Sequence, residues 1–149
     1  MILIKNTQRK IKIDTIELKK NTQEILNSLG YPDYDISIWL TSNKTIHDYN
    51  RTYREKDKPT DILSFPYHTD LKAGKRIKPN CLEDKNLGDI IISPQYVLED
   101  LERWNKTFEE RMKILLVHGI CHLLGYDHII DTDYRVMAKK EKELLKLIE

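Results

Sequence analysis

The sequence predicts an α+β fold, in which a small mixed β-sheet packs with helices, or a related three-layer arrangement. Strand-like and helix-like patterns interleave along the chain, which is typical of a sheet covered by helices. The run GDIIIS is short, apolar and β-branched, and such a run is typical of a buried strand. The length of 149 residues provides one core of ordinary size, so we expect a single domain spanning residues 1–149.

Near the amino terminus, a short strand is predicted at Ile2–Ile4. A helix follows from about Thr15 to Leu29, because apolar residues recur there with helical spacing. Asp14 has the side chain of an N-cap, and Gly30 stands where a helix-ending glycine is expected.

In the middle of the chain, Tyr34–Thr41 alternates apolar and polar residues and is predicted to form a half-buried strand. Ser42 has the side chain to cap a short helix that reaches about Arg54. The run ILSFP at Ile62–Pro66 is predicted to be a strand. The polar segment 67–87 is predicted to be mainly surface loop.

The last third begins with the predicted strand Gly88–Ser93, which we expect to be central in the sheet. A helix is predicted at Pro94–Trp104, with proline at its first turn. Thr107–Leu124 is predicted to be a helix that starts with a T-x-x-E capping box. A charged amphipathic helix is predicted at about Thr132–Ile148.

The charge balance gives no general reason to expect binding to nucleic acid. Lysine and arginine number 25 and aspartate and glutamate 24, so any basic surface must be local, and no DNA partner is expected. The amino terminus lacks a signal-peptide pattern, and no apolar run is long enough for a membrane span. We therefore expect a cytoplasmic protein without a membrane partner. The two cysteines, Cys81 and Cys121, are not expected to form a disulfide.

Three of the five histidines lie in HGICHLLGYDH, residues 118–128. On a helix, His118 and His122 share one face, one turn apart, and both rings can reach one zinc ion. Gly125 can end the helix in a left-handed conformation and turn the chain, so that His128 returns to the same ion. Three nitrogen ligands leave a fourth position open, which is typical of catalytic rather than structural zinc. The alternative is a buried helix whose histidines have other partners.

The residues between these histidines modify the interpretation. Zinc proteases with this spacing carry a glutamate base directly after the first histidine, and here that position is Gly119. The ligand cage is thus kept, whereas the base of a peptidase is lost. Cys121 is expected to be a small core residue. Asp127 is expected either to orient a ligand imidazole or to stabilise the turn.

A second polar segment, NRTYREKDKPTDILSFP, covers residues 50–66. The segment either forms a local positive patch or is merely a solvated loop. The cations of the patch are Arg51, Arg54, Lys56 and Lys58. Thr60 and Asp61 have the character of turn residues before the strand. Asp89, in LGDIIIS, is expected to pair with one of these cations or to accept backbone hydrogen bonds.

Taken together, NRTYREKDKPTDILSFP, LGDIIIS and HGICHLLGYDH resemble the YbeY-type endoribonucleases, bacterial rRNA maturation factors, in order and spacing over about residues 34–148. That family usually has an aliphatic residue, most often leucine, where this chain has Cys121. The resemblance implies one zinc ion held by His118, His122 and His128, and a functional Arg54 that acts on the RNA phosphate. It also implies cleavage of single-stranded RNA in rRNA maturation, chiefly at the 3′ end of the small-subunit rRNA, and in ribosome quality control.

On this interpretation, the zinc site on a central, zincin-like helix assists hydrolysis of an RNA phosphodiester, with His118 and Arg54 as catalytic residues. Flanking phosphates would be contacted by several cations, among them Arg51, Lys56, Lys58, Lys72, Lys75 and Arg76. The partners expected are RNA, chiefly rRNA, and the ribosome or ribosomal proteins. The nucleophile and general base stay open. Two rivals also remain: a non-enzymatic ribosome-assembly factor with structural zinc, and a metallopeptidase-like hydrolase.

Overall fold

A computed structural model describes residues 1–149 as a four-stranded sheet with five α-helices and two short 3₁₀ helices. The strands are β1 (Ile2–Asn6), β2 (Asp35–Leu40), β3 (Ile62–Pro66) and β4 (Asn86–Ile92). The α-helices are α1 (Thr15–Leu29), α2 (Asn43–Arg54), α3 (Pro94–Glu99), α4 (Phe108–Leu123) and α5 (Asp131–Leu145). The 3₁₀ helices are Leu82–Asp84 and Leu101–Trp104.

The sheet has the order β1-β2-β4-β3. The first three strands in this order are parallel, whereas β3 runs antiparallel to β4 and forms an edge. The predicted mixed sheet is therefore confirmed. The central position of β4 is confirmed as well, because β4 pairs with a neighbour on each side.

Helices cover both faces of the sheet. The main core joins α1, α4 and α5 to one face, through fully buried side chains such as Leu26, Ile38 and Leu116. A smaller cluster of Ile46, Leu63 and Ile91 joins α2 to the other face. The α+β prediction is thus confirmed, with the helices in layers on either side. None of the helices combines the length and the apolar character required to cross a membrane.

Several boundaries differ from those predicted, among them the end of β1 at Asn6 and the end of α5 at Leu145, and two of the differences have a clear local reason. The strand β4 starts at Asn86, because Gly88 occupies a bulge inside the strand rather than its beginning. Gly88 has φ +123°, and a Cβ there would lie 2.2 Å from the carbonyl oxygen of Phe65. The helix predicted at Pro94–Trp104 ends at Glu99, and the 3₁₀ turn after it lays Trp104 over the guanidinium of Arg111.

Both ends of α4 have the predicted signals. Thr107 and Glu110 form the reciprocal capping box at its start. At its end, the Gly125 N–H donates to the carbonyl of His122 and the Tyr126 N–H to that of Cys121, which is a Schellman motif. Gly125 has φ +89°, and a Cβ there would lie 2.2 Å from the carbonyl oxygen of Leu71. Glycine is therefore required both by the turn and by the close approach of the 67–81 segment.

Gly125→Ala is expected to destabilise the protein more than Gly74→Ala. Both glycines have positive φ, but nothing lies within 4 Å of a Cβ placed on Gly74. Gly74→Ala should therefore cost only the left-handed conformation, about 1–2 kcal/mol. Gly125→Ala should cost more, because the Leu71 backbone must also move. Urea unfolding of both variants measures the difference, and equal losses of stability would contradict the steric argument.

Candidate metal centre

Three histidines converge at the carboxyl end of α4. His118 and His122 lie one turn apart on the helix, and His128 returns to them after the turn at Gly125. The Nε2 atoms of His118 and His122 are 3.0 Å apart. Ring nitrogens of all three lie within 4.8 Å of one another, and no cysteine or carboxylate joins the group. The structure thus brings together the three histidines that the spacing singled out.

The chemistry of this donor set fits a transition-metal ion. Two tetrahedral zinc–nitrogen bonds of about 2.0–2.1 Å place their nitrogens about 3.3 Å apart, close to the 3.0 Å between His118 and His122. Burial, aided by the neighbouring His118 and His128, lowers the pKa of His122 to about 4. This imidazole is therefore neutral near pH 7, and a ring-nitrogen lone pair is available to a cation.

The other ring nitrogens of the two helical histidines have partners. His122 Nδ1 lies 3.0 Å from the carbonyl oxygen of Tyr126, and His118 Nδ1 lies 3.0 Å from Glu141 Oε2 on α5. In both rings Nε2 is thus left to face the centre of the cluster. The sequence did not single out Glu141, because it is one of many charged residues in the last helix. Asp127 accepts a hydrogen bond from the N–H of Ile129, which is the turn-stabilising role.

The three histidines open into a cleft of about 410 Å³. Its opposite wall consists of the end of α2, the loop after it and one face of β3: Arg54, Thr60, Asp61, Ile62, Leu63, Ser64 and Pro66. Arg54 is the last residue of α2, and its side chain is exposed. The structure therefore brings Arg54 to the same cleft as the histidines, although more than sixty residues separate them.

An ion pair holds the loop end of this wall against α4. Asp61 Oδ2 accepts from the guanidinium of the buried Arg111 at 3.2 Å, and Asp61 Oδ1 accepts from the N–H of Ile62 at 2.8 Å. Trp104 stacks on the same guanidinium, 3.6 Å from ring centroid to Cζ. Asp61 is thus a turn residue, as its position suggested, and in addition connects two walls of the cleft. The pairing with Arg111 was not foreseen, because fifty residues separate the partners.

The remaining cations of the second polar segment are exposed but do not line the cleft. Arg51 lies one turn before Arg54 on α2 and pairs with Asp48 at 3.4 Å. Lys56 and Lys58 project from the loop that leads to the cleft wall. Their side chains are therefore free to meet a polyanion near the cleft, without being part of it.

Two expectations about charged residues were wrong. The Arg76 guanidinium donates to the carbonyls of Leu29 and Gly30 at the end of α1 and stacks on Tyr31, so it is not free for phosphate. Asp89 makes no ion pair with the predicted cations. It is exposed on the face of the sheet that α2 packs against, away from α4 and the histidines, because side chains alternate along β4. Lys72 and Lys75 are exposed in the 67–81 segment.

The residues between the histidines pack α4 against the sheet. A Cβ on Gly119 would lie 2.9 Å from Ile62 Cδ1 and 3.0 Å from Ile90 Cδ1. A side chain at this position would therefore have to displace the ends of these two isoleucines, and α4 packs closely on the sheet because the position is glycine. Cys121 is a fully buried core residue, as expected, and burial raises the pKa of its thiol to about 12. Both cysteines are free.

The chain is similar to known proteins along nearly its whole length. The family model described as Endoribonuclease YbeY matches residues 3–149. The human Endoribonuclease YbeY is 36% identical over 97% of this chain and 86% of its own length. The protein of the same name from Aquifex aeolicus is 39% identical over 85% of this chain and 77% of its own length.

The fold has a solved relative as well. The solution structure of TM1509 from Thermotoga maritima superposes with a TM-score of 0.63 at 26% identity, covering 99% of this chain and 89% of that one. The family model and the curated relatives reach beyond the three motifs to both ends of the chain. The chain therefore belongs to the YbeY family of endoribonucleases.

Proposed function

We propose that this endoribonuclease cuts single-stranded RNA with the aid of one zinc ion per chain, held by His118, His122 and His128. The observation that carries the proposal is the shared cleft, which Arg54 lines together with the three histidines. The proposed ligands lie on the buried helix α4 and in the turn after it, and on this proposal α4 would be a zincin-like ligand helix. An anionic phosphodiester in this cleft would meet a bound cation on one side and a guanidinium on the other.

Each of the residues in and near the cleft would have a separate role in binding or cleavage. Arg54, with its planar fork of N–H donors, would bind two phosphoryl oxygens and offset the charge that builds on them. His118 and its two companions would hold the zinc, which when bound supplies a Lewis acid to the phosphate. The Asp61–Arg111 pair would keep the β3 wall at a fixed distance from α4. Lys56, Lys58 and Arg51 would contact flanking phosphates.

We further propose rRNA as the principal substrate, with action at the 3′ end of the small-subunit rRNA and in ribosome quality control. The resemblance of the three motifs to rRNA maturation factors supports this choice, and the family's name specifies cleavage within RNA. The near-neutral net charge of +1 suits a protein that gains RNA affinity from a ribosomal partner. We propose the cytoplasm as its location, in keeping with a ribosomal partner.

The geometry favours this function over its two rivals. Structural zinc sites in proteins have four protein ligands, whereas this cluster has three and opens into a cleft. A purely structural zinc in a non-enzymatic assembly factor is thus disfavoured. A peptidase is disfavoured by Gly119, because glycine has no carboxylate to act as the base of a zinc protease.

Replacing any one of the three histidines by alanine is expected to remove both metal and cleavage. The wild-type protein should contain about one zinc ion per chain, and the variants close to none, because two imidazoles alone hold zinc weakly. Elemental analysis by mass spectrometry measures the metal, and a labelled single-stranded RNA measures cleavage. His68→Ala is the control, since its ring bonds the carbonyl of Asp84 outside the cleft. Wild-type cleavage by a zinc-free His118→Ala variant would contradict the proposal.

Arg54→Ala is expected to lower kcat/KM for RNA by about 10²–10³-fold, the usual effect of removing a donor that stabilises transition-state charge. Zinc content should not change, because Arg54 is not a ligand. Arg54→Lys should recover only part of the loss, since lysine lacks the bidentate fork. Lys44→Ala is the matched control, an exposed cation at the start of the same helix that does not line the cleft. Equal rates for Arg54→Ala and Lys44→Ala would show that Arg54 takes no part in the mechanism.

The double variant Lys56→Ala, Lys58→Ala is expected to weaken RNA binding. The loss should lie in the salt-dependent part of the binding free energy, and the salt-independent part should stay unchanged. Each lost contact with single-stranded RNA should lower the slope of log K against log salt by about 0.7, so about 1.4 for both. Filter binding of uncut RNA over a salt series measures the slope. Lys19→Ala with Lys20→Ala, on exposed positions of α1, is the control. An unchanged slope would mean that these lysines do not touch phosphate.

A further inference from the structure

A carboxylate of the last helix contacts one histidine of the cluster from outside the group of three. Glu141 Oε2 on α5 lies 3.0 Å from His118 Nδ1, and the two side chains are only about a quarter exposed, 27% and 25%. We infer that Glu141 is a positioning residue for the metal site, which holds the His118 ring so that Nε2 faces the ion. The inference rests on the proposed metal-dependent function and assigns part of that function to a helix outside the motifs.

The position of Glu141 within α5 is unusual for a carboxylate. Met137 precedes it by four residues and Leu144 follows it by three, and both are buried in the core. Residues at this spacing share one helix face, so Glu141 lies on the inward face of α5. A charge on such a face is unfavourable unless it is paired. A histidine that carries a metal cation on its other nitrogen is a suitable partner.

The hydrogen bond also determines which nitrogen of His118 is free. A carboxylate accepts and does not donate, so the contact requires the proton on Nδ1. The lone pair is then on Nε2, which lies 3.0 Å from Nε2 of His122. The contact therefore fixes the tautomer and the rotation of the ring in the form that binds a metal.

The three ligands differ in how their rings are held. The carbonyl of Tyr126 holds His122, and this contact is made by the backbone of the turn after α4. His128 is exposed, and its ring has no hydrogen-bond partner in the chain. Replacing Glu141 therefore changes how a ligand ring is held while all three histidines remain in place.

The test compares Glu141→Ala and Glu141→Gln with Glu143→Ala. Glu143 is a matched control, because it lies on the same helix, is exposed and pairs with Lys140 at 3.3 Å. Zinc affinity is measured by competition with a chromophoric chelator, and the site geometry by the visible spectrum of the cobalt-substituted protein. Thermal unfolding of the metal-free proteins measures any purely structural effect.

Glu141→Ala is expected to weaken zinc binding by about 10–100-fold and to alter the cobalt spectrum. Glu141→Gln should lie between alanine and wild type, because its amide oxygen still accepts from Nδ1 but carries no charge. Glu143→Ala should match wild type. Excess zinc should restore RNA cleavage to Glu141→Ala, whereas His118→Ala should not be rescued.

One result would overturn the inference, namely zinc affinity of Glu141→Ala within twofold of wild type. If the metal-free variant then also unfolds at a lower temperature, the contact is purely structural. In that case a wild-type protein that binds zinc and cuts RNA leaves the proposed function intact. Absence of zinc binding by the wild type would instead overturn the proposed function, and this inference with it.

Discussion

The close packing of α4 on the sheet is the constraint on which the site depends. Gly119 lets the helix approach until the side chains of Ile62 and Ile90 fill the space where a Cβ would be. His118 precedes Gly119 on the helix and lines the cleft together with residues of β3. Gly119 thus permits close packing of α4 on the sheet at a position where a zinc protease has its glutamate base.

The cleft is made by elements that the sheet order brings together. The edge strand β3 runs antiparallel to β4, and the loop before it carries Asp61 to Arg111 on α4. The helix α2 ends at Arg54 just before this loop, on the side that faces the histidines. One ion pair and one edge strand therefore align a cation from the middle of the chain with ligands near its end. On the proposed function, a guanidinium and a metal cation on different walls of the cleft would both stabilise charge on a phosphodiester.

Local signals predicted most of the fold. Asp14 and Ser42 cap helices, Thr107 starts α4 with a capping box, and Gly30 ends α1, all as expected from residues a few positions apart. The errors occurred where a local signal has two meanings. Gly88 is typical of a strand boundary but lies in a bulge, because the neighbouring strand approaches too closely for a side chain.

The sequence by itself determined the histidine cluster, because helical spacing and a helix-ending glycine bring His118, His122 and His128 together through contacts within eleven residues. Only the tertiary structure decided which charged side chains serve the cluster. Glu141 reaches it, whereas Arg76 binds the end of α1. Long charged side chains look alike in sequence, and their partners depend on which surfaces the packed helices bring within hydrogen-bond distance.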